Sequence, residues 1–325
     1  MMMDGNSDSV VIGKRAREVL AVLSDGHRHQ GTDLARHLGI SRTAIWKHVE
    51  VLRAIGLQIE AGSNGYQLPR SIEWLDAETI RAGLTRPEWA PSIEFLVDST
   101  NACILTDGEF PQVVLAEGQR AGRGRRGRGW VSPPGSGIYL SVGWRFDSSL
   151  ATLAPLGLVA GIAAARALQG QGLNNIGLKW PNDLVCGEHK LGGCLIDING
   201  TTDGPCIAIF GIGINVDLGM TDDIDQPWTD LHRLGASIGR NRLASALINS
   251  LIASIETFET HGFKALMPEW QALDALAGQD IKVLHPSSPT RTGKADGIDE
   301  MGRLRLITDQ GGCLISSGEV SVRAC

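Results

Sequence analysis

The chain has 325 residues, 42% of them hydrophobic and 20% charged, with a formal net charge of -6. This is ordinary globular composition with enough chain for two or three domains, and it excludes a disordered, collagen-like or strongly basic protein. Its six cysteines, Cys103, Cys186, Cys194, Cys206, Cys313 and Cys325, show neither CxxC spacing nor a histidine at zinc-finger distance, so no structural metal is expected and a reducing compartment is.

From the start of the chain, MMMDGNSDSV lacks the basic and apolar regions of a signal peptide, and the longest apolar stretch, Leu150 to Leu168, is broken by Pro155, Gly157 and Arg166. A cytoplasmic protein with no membrane partner is expected. AREVLAVLSDG then carries Val19, Leu20 and Leu23 on one helical face, and GTDLARHLGIS carries Leu34 and Leu38 before Gly39. Ser41 is placed to cap a third helix, SRTAIWKHVEVLRAIG, in which Ile45, Val49 and Leu52 at i, i+4 and i+7 form one buried stripe. Arg42, Thr43, Trp46, Lys47 and His48 then stand near the start of that helix. Helix, glycine turn and polar-faced helix make a helix-turn-helix, and the runs around Asn64-Gly65 predict a hairpin wing. The plainer reading is a small three-helix bundle. Residues 1 to 60 hold eight Lys or Arg against seven Asp or Glu, a net of +1, so one copy should bind DNA weakly and a dimer reading two half-sites should bind better.

Beyond Pro69 the pattern becomes mixed. SIEFLVDST, QVVLAEGQ, GIYLSVGW, LGGCLIDI and CIAIFGIGINV read as strands, and ATLAPLGLVAGIAAARALQ and RLASALINSLIASIETFETHGF as helices. Between two of the strands lies AGRGRRGRGW, residues 121 to 130, with four arginines and four glycines. It suits a nucleic-acid patch, a solvated loop, or an anion-binding loop whose glycines admit phosphate to backbone N–H groups while guanidinium groups donate in pairs. Fixing ten residues costs on the order of 10 kcal/mol of backbone entropy, so such a loop is expected to be mobile until an anion arrives and to act as a lid. Further on, KWPNDLVCGEHKLGGCLID predicts a hairpin turning near Gly187, with Lys179 and Lys190 flanking it and Asn182 and Asp183 between them. Lysines at such an edge serve either solubility or an anionic ligand.

STN at 99 to 101, GRGRRGR at 122 to 128, KWPND at 179 to 183, KLGG at 190 to 193 and GIGIN at 211 to 215, in this order, resemble the biotin protein ligase family. With the N-terminal helices the likeness extends to its bifunctional form, the biotin operon repressor, and covers about Lys14 to Arg323. The resemblance implies an α+β chain: a winged helix-turn-helix over 1–70, a mixed α/β, class II synthetase-like catalytic domain over 71–275, and an SH3-like β-barrel over 276–325.

It implies two steps, biotin and ATP giving biotinyl-5'-adenylate with Mg²⁺ escorting pyrophosphate, then transfer to a lysine of a carboxylase's biotin carboxyl carrier domain. By motif position Ser99, Thr100, Asn101 and Gln119 would meet the ureido head of biotin. Arg123, Gly124, Arg125 and Lys190 would meet its carboxylate end, with Arg123, Arg125 and Lys190 as the catalytic cations. Lys179, Asn182, Asp183, Asn215 and Trp228 would hold the adenylate, Trp228 on adenine, and Glu319 and Arg323 of the GEVSVR ending would close over ATP. Gly129 departs from the family in standing where a lysine often precedes the tryptophan, and Trp46 is bulky for a recognition helix. The implied whole is a ligase whose bound adenylate favours a homodimer and operator binding through Ser41, Arg42, Thr43, Trp46, Lys47 and His48. A lipoate ligase and a ligand-sensing repressor without catalysis are the alternatives.

Overall fold

The structure, a computed structural model, describes residues 12–200, 204–221, 223–285, 288–318 and 320–324. The chain divides into two compact units, Met1–Glu73 and Trp74–Cys325.

In the first unit, α1 (Lys14–Leu23), α2 (Gly31–Leu38) and α3 (Arg42–Ala54) enclose a core that includes Val19, Leu20, Leu23, Leu34, Ile45, Val49 and Leu52. Gly39 ends α2 with φ 62°, a left-handed conformation that suits glycine. Ser41 accepts a hydrogen bond from the Ala44 backbone N–H at 3.1 Å and caps α3, as its position predicts. The wing is β1 (Glu60–Gly62) paired antiparallel with β2 (Gly65–Gln67). It is joined to the α1–α2 connection by His29 and Tyr66, whose backbones exchange two hydrogen bonds of 2.9 Å. A side chain at Gly65, φ 114°, would collide with the His29 carbonyl, so the turn admits glycine on two counts.

The second unit is built on a seven-stranded sheet in the order β3-β4-β5-β9-β8-β7-β6. Its strands are β3 (Ser92–Val97), β4 (Gln112–Gln119), β5 (Gly137–Phe146), β6 (Gly177–Lys179), β7 (Asp183–Cys186), β8 (His189–Gly200) and β9 (Cys206–Asn215). Only the β3–β4 pair is parallel. Two helices, α5 (Leu156–Gln169) and α6 (Arg240–His261), lie against each other and the sheet, joined by the shorter α4 (Ala77–Ala82) and α7 (Met267–Leu273). α5 is apolar on almost every side, and its run GIAAARA keeps the neighbouring layers close.

One ion pair is deeply buried. Arg240 at the start of α6 meets Glu117 of β4 at 2.7 Å with side chains 3% and 5% exposed, and Arg240 also donates twice to the Gly137 carbonyl. The other Glu117 oxygen accepts the Leu75 N–H at 2.5 Å, and Asn241 bonds Asp76 and Trp74, so the first residues of this unit are held against β4 and α6.

The C-terminal strands β10 (Asp280–His285), β11 (Ser288–Ile298), β12 (Leu304–Thr308), β13 (Gly311–Ile315) and β14 (Ser321–Ala324) form an antiparallel sheet in the order β13-β12-β11-β10-β14. Register shifts between Val283 and His285 and between Ala295 and Ile298 bend it. Among the described residues β13 and β14 are the two edges of this five-stranded sheet, the expected SH3-like domain with its barrel not closed. Trp180, buried, donates its indole N–H to the Gly302 carbonyl at 2.9 Å and fastens this sheet to the KWPND segment.

Candidate active site

Strand polarity gathers the site at one end of the seven-stranded sheet. Because β3 and β4 are parallel, the Ser99–Asn101 turn that follows β3 stands beside Gln119 at the end of β4, where Val97 and Gln119 are already in register. Antiparallel pairing brings the start of β5, the end of β9 and the start of β8 to the same place. A cavity of about 870 Å³ opens there, in the upper part of the range that small-molecule sites occupy.

The floor is a polar network in which Thr100, Asn101, Ser132 and Ser141 are buried and Gln119 and Asp197 half-buried. Thr100 donates its backbone N–H to Gln119 Oε1 at 2.9 Å, and Gln119 Nε2 donates to Ser132 Oγ at 3.0 Å. Ser141 Oγ donates to Asn101 Oδ1 at 2.6 Å and lies 2.8 Å from Thr100 Oγ1. Asn101 Nδ2 in turn donates to Asp197 Oδ2 at 2.9 Å. Asn101 lies directly over Gly211, where any side chain would strike its amide, which gives the first glycine of GIGIN a steric reason. A Cβ at Gly213 would stand 2.6 Å from Trp130 Nε1, so the second glycine makes room for the indole that closes the arginine loop.

That loop is a small hairpin. Trp130 N–H donates to the Gly122 carbonyl at 2.8 Å and Gly124 N–H to the Arg128 carbonyl at 2.7 Å, with Arg126 (φ 61°) and Gly127 (φ 69°) both left-handed at the tip. A Cβ at Gly122 would come within 2.5 Å of the Trp130 carbonyl. The glycines thus serve the hairpin itself as well as any approach to an anion. The expectation of a loop without order until an anion binds rests on backbone entropy and repulsion among arginines; against both, the fold offers the arginines protein partners. Arg123 Nη2 pairs with Asp197 Oδ2 at 2.7 Å, and Arg125 donates to the Ser317 carbonyl, to the Gly318 carbonyl at 2.6 Å, and to Asn182 Oδ1 at 3.5 Å. Burial draws the Arg125 guanidinium below its ordinary value, with the Asp183 charge opposing that pull.

On the facing wall, Lys190 Nζ lies 2.7 Å from Asp183 Oδ1 and 5.3 Å from the centre of the Trp130 ring. The Lys190 backbone also bonds Pro227 and Thr229, laying residues 227–229 alongside β8 and holding Trp228 at the rim, where Arg233 stacks 3.7 Å over its ring. Asn215 Nδ2 ties the same segment through the Thr229 carbonyl at 3.0 Å. Asn182 Nδ2 donates to the Cys194 carbonyl at 2.7 Å.

Ser99, Thr100, Asn101, Gln119, Arg123, Gly124 and Arg125 all line this one cavity, as do Lys179, Asn182, Asp183, Lys190, Asn215, Trp228 and Arg323. Glu319 lies outside the described residues. Asn101 and Gln119 spend much of their hydrogen bonding on the floor itself. Sequence reasoning missed Asp197, Ser141, Ser132 and Trp130. Trp130 carried a signal, an aromatic residue at the end of a cationic loop; Asp197, inside the alternating LIDI run, carried none. In the first unit Arg42, Thr43, Trp46 and Lys47 are exposed on α3, His48 is half-buried, and Ser41 is the cap.

Residues 94–215 match the Biotin/lipoate A/B protein ligase family, residues 15–67 an HTH domain, and residues 277–323 the biotin protein ligase C-terminal domain. The chain is 36% identical over 314 residues to the bifunctional ligase/repressor BirA of Salmonella typhimurium, covering 94% of this chain and 97% of that protein. It is 30% identical over 303 residues to BirA of Bacillus subtilis, covering 90% and 93% respectively. Among solved structures, the biotin protein ligase of Aquifex aeolicus in complex with biotin and ATP superposes with a TM-score of 0.64 at 28% identity, over 72% of this chain and 98% of that one. With such similarity along nearly its whole length, the chain belongs to the biotin protein ligase family, as a bifunctional ligase/repressor.

Proposed function

We propose that this chain joins biotin to ATP, transfers the biotinyl group to a lysine of a biotin carboxyl carrier domain, and couples occupancy of that site to operator binding. The observation that carries the reading is the convergence of Arg123, Arg125 and Lys190 on one cavity whose floor is neutral and polar. In the first step a carboxylate oxygen attacks the α-phosphorus as the bond to the β-phosphate oxygen breaks, and pyrophosphate leaves with the bonding electrons. Two negative charges about 4 Å apart repel by roughly 4 kcal/mol at an effective dielectric near 20. Arg123, Arg125 and Lys190 oppose that repulsion by position alone, with no covalent enzyme intermediate. In the second step the carrier amine attacks the acyl carbon, AMP leaves, and the amine loses a proton.

Ser99 and Thr100 are assigned to the ureido head, with Asn101 and Gln119 offering the hydrogen bonds the floor leaves them. Lys179, Asn182, Asp183, Asn215, Trp228 and Arg323 are assigned to the nucleotide. Mg²⁺ would arrive on ATP and neutralise pyrophosphate. Among the described residues there is no cluster of three or more metal-ligating side chains, and an ion carried by phosphates and water, with Asp183 as the carboxylate on the wall, needs none.

The proposed domains are 1–70 for DNA, 71–275 for adenylation and 276–325 as a cover. No described helix is long and apolar enough to cross a membrane. The exposed start of α3 supports reading DNA through Arg42, Thr43, Trp46 and Lys47, and a homodimer presenting two such helices would multiply a weak contact. Mass spectrometry of the protein incubated with biotin and Mg-ATP should find biotinyl-5'-adenylate; its absence refutes the ligase reading, and preferential use of lipoate in competition selects the other acid. Gel-shift titration with promoter DNA should tighten on adding biotin and ATP, and equal shifts in both states refute ligand control.

A further inference from the structure

One carboxylate behind the cavity joins its two halves. Asp197 stands on β8 two residues beyond Leu195, so both side chains share a face of the sheet, and Leu195 pairs across to Gly211. The missing side chain at Gly211 lets the Asn101 amide lie flat there and reach Asp197. The same Oδ2 atom that accepts from Asn101 also receives Arg123 Nη2 at 2.7 Å. Asn101 and Arg123 line the cavity, and Asp197 does not. It meets the ligand only through them.

We infer that Asp197 is a positioning residue for adenylate formation, the shared acceptor that fixes Arg123 of the arginine loop against Asn101 of the floor. This deepens the proposed reading and rests on it. An arginine on a glycine-rich hairpin has many orientations open to it, and a charge-assisted bond to a carboxylate whose other donor is a buried amide selects one. Since Asn101 is itself held by Ser141 on β5, the chain of contacts runs from β5 through the turn and β8 to the loop. Occupancy of the floor and orientation of Arg123 are thereby coupled. The guanidinium keeps N–H groups for the acyl phosphate, so loss of Asp197 should weaken the reaction more than the binding of biotin.

The test is a double-mutant cycle on the full-length protein. Wild type must first form biotinyl-5'-adenylate; failure there refutes the functional reading and leaves the variants without a question to answer. With wild type active, Asp197→Asn should lower kcat for adenylate formation about tenfold and change KM for biotin less than about threefold. Asp197→Glu should recover most of the loss, because it restores the charge. In an Arg123→Ala background, Asp197→Asn should change the rate less than about twofold. Equal losses with and without Arg123, no loss in the single variant, or a defect confined to KM would each overturn the inference. If Asp197→Asn does not fold, Asp197→Ser takes its place in the same cycle.

Discussion

Replacing Lys190 with Ala tests the charge arrangement on which the proposed chemistry depends. Its ammonium lies 2.7 Å from Asp183 Oδ1, with the two side chains only 17% and 23% exposed. The substitution therefore does two things at once: it removes a cation from the cavity wall and strands a carboxylate there. The first effect, by comparison with removing one donor aimed at developing negative charge, is worth about 3 to 4 kcal/mol, on the order of 10² to 10³ in rate. The second adds repulsion between Asp183 and the incoming phosphate, up to roughly 4 kcal/mol at about 4 Å and a dielectric near 20, reduced by whatever solvent enters the emptied space. Single-turnover formation of the adenylate, followed by release of pyrophosphate, should thus fall on the order of 10³-fold. Adding Asp183→Asn to Lys190→Ala should return part of that, about tenfold, by removing the stranded charge. An unaffected rate in the single variant, or a double variant slower than Lys190→Ala, would refute the arrangement.

Gly213→Ala should push the Trp130 indole from its seat, since a Cβ there would lie 2.6 Å from Nε1; a shift in tryptophan emission and a loss of about 1 to 3 kcal/mol in urea unfolding are expected, and unchanged emission would count against this packing. Glu117→Gln leaves the buried Arg240 without its counter-charge, which should destabilise the second unit by about 3 to 5 kcal/mol in denaturant titration. Burial pushes the Cys194 thiol up to about 12, so at about pH 8 it stays protonated and an alkylating reagent should spare it in the folded protein; mass-spectrometric labelling of Cys194 at that pH would contradict its burial. Arg42→Ala or Lys47→Ala should weaken DNA binding and, where the side chain meets a phosphate, lower the salt dependence of log K by about one, which gel shifts at several salt concentrations will read.

Much of this was legible where a local pattern has a local cause. Ile45, Val49 and Leu52 mark the buried stripe of α3 because helical periodicity alone selects the face. The arginine loop and KWPND stand out because cations and glycines collected in short runs have few structural uses. What escaped depends on pairing between distant strands. Asp197 meets Asn101 and Arg123, 96 and 74 residues away, and nothing in LIDI distinguishes it from an ordinary outward-facing residue. Trp180 looks like part of a ligand motif, yet its indole fastens Gly302, 122 residues further on. The glycines of GIGIN invite a backbone explanation, whereas Gly211 and Gly213 are small because Asn101 and Trp130 occupy the space above them.

The protein partners of the three cations explain why the proposed site would favour its intermediate over either substrate. Arg123 is paired with Asp197 and Lys190 with Asp183, while Arg125 rests on neutral carbonyls. Within this inner set, three positive charges against two negative ones leave a net charge of +1. A biotinyl adenylate carries a single negative charge, on the phosphoryl group of its mixed anhydride, whereas ATP brings several and biotin places its carboxylate against the same groups. The pair of substrates therefore overloads the inner set with negative charge, and expelling pyrophosphate restores the match. On the proposed reading, in which the intermediate waits for a carrier domain and its presence bears on DNA binding, that preference would be useful. By offsetting two of the three inner cations, the carboxylates at 183 and 197 would bring the positive charge of that set close to what a biotinyl adenylate balances.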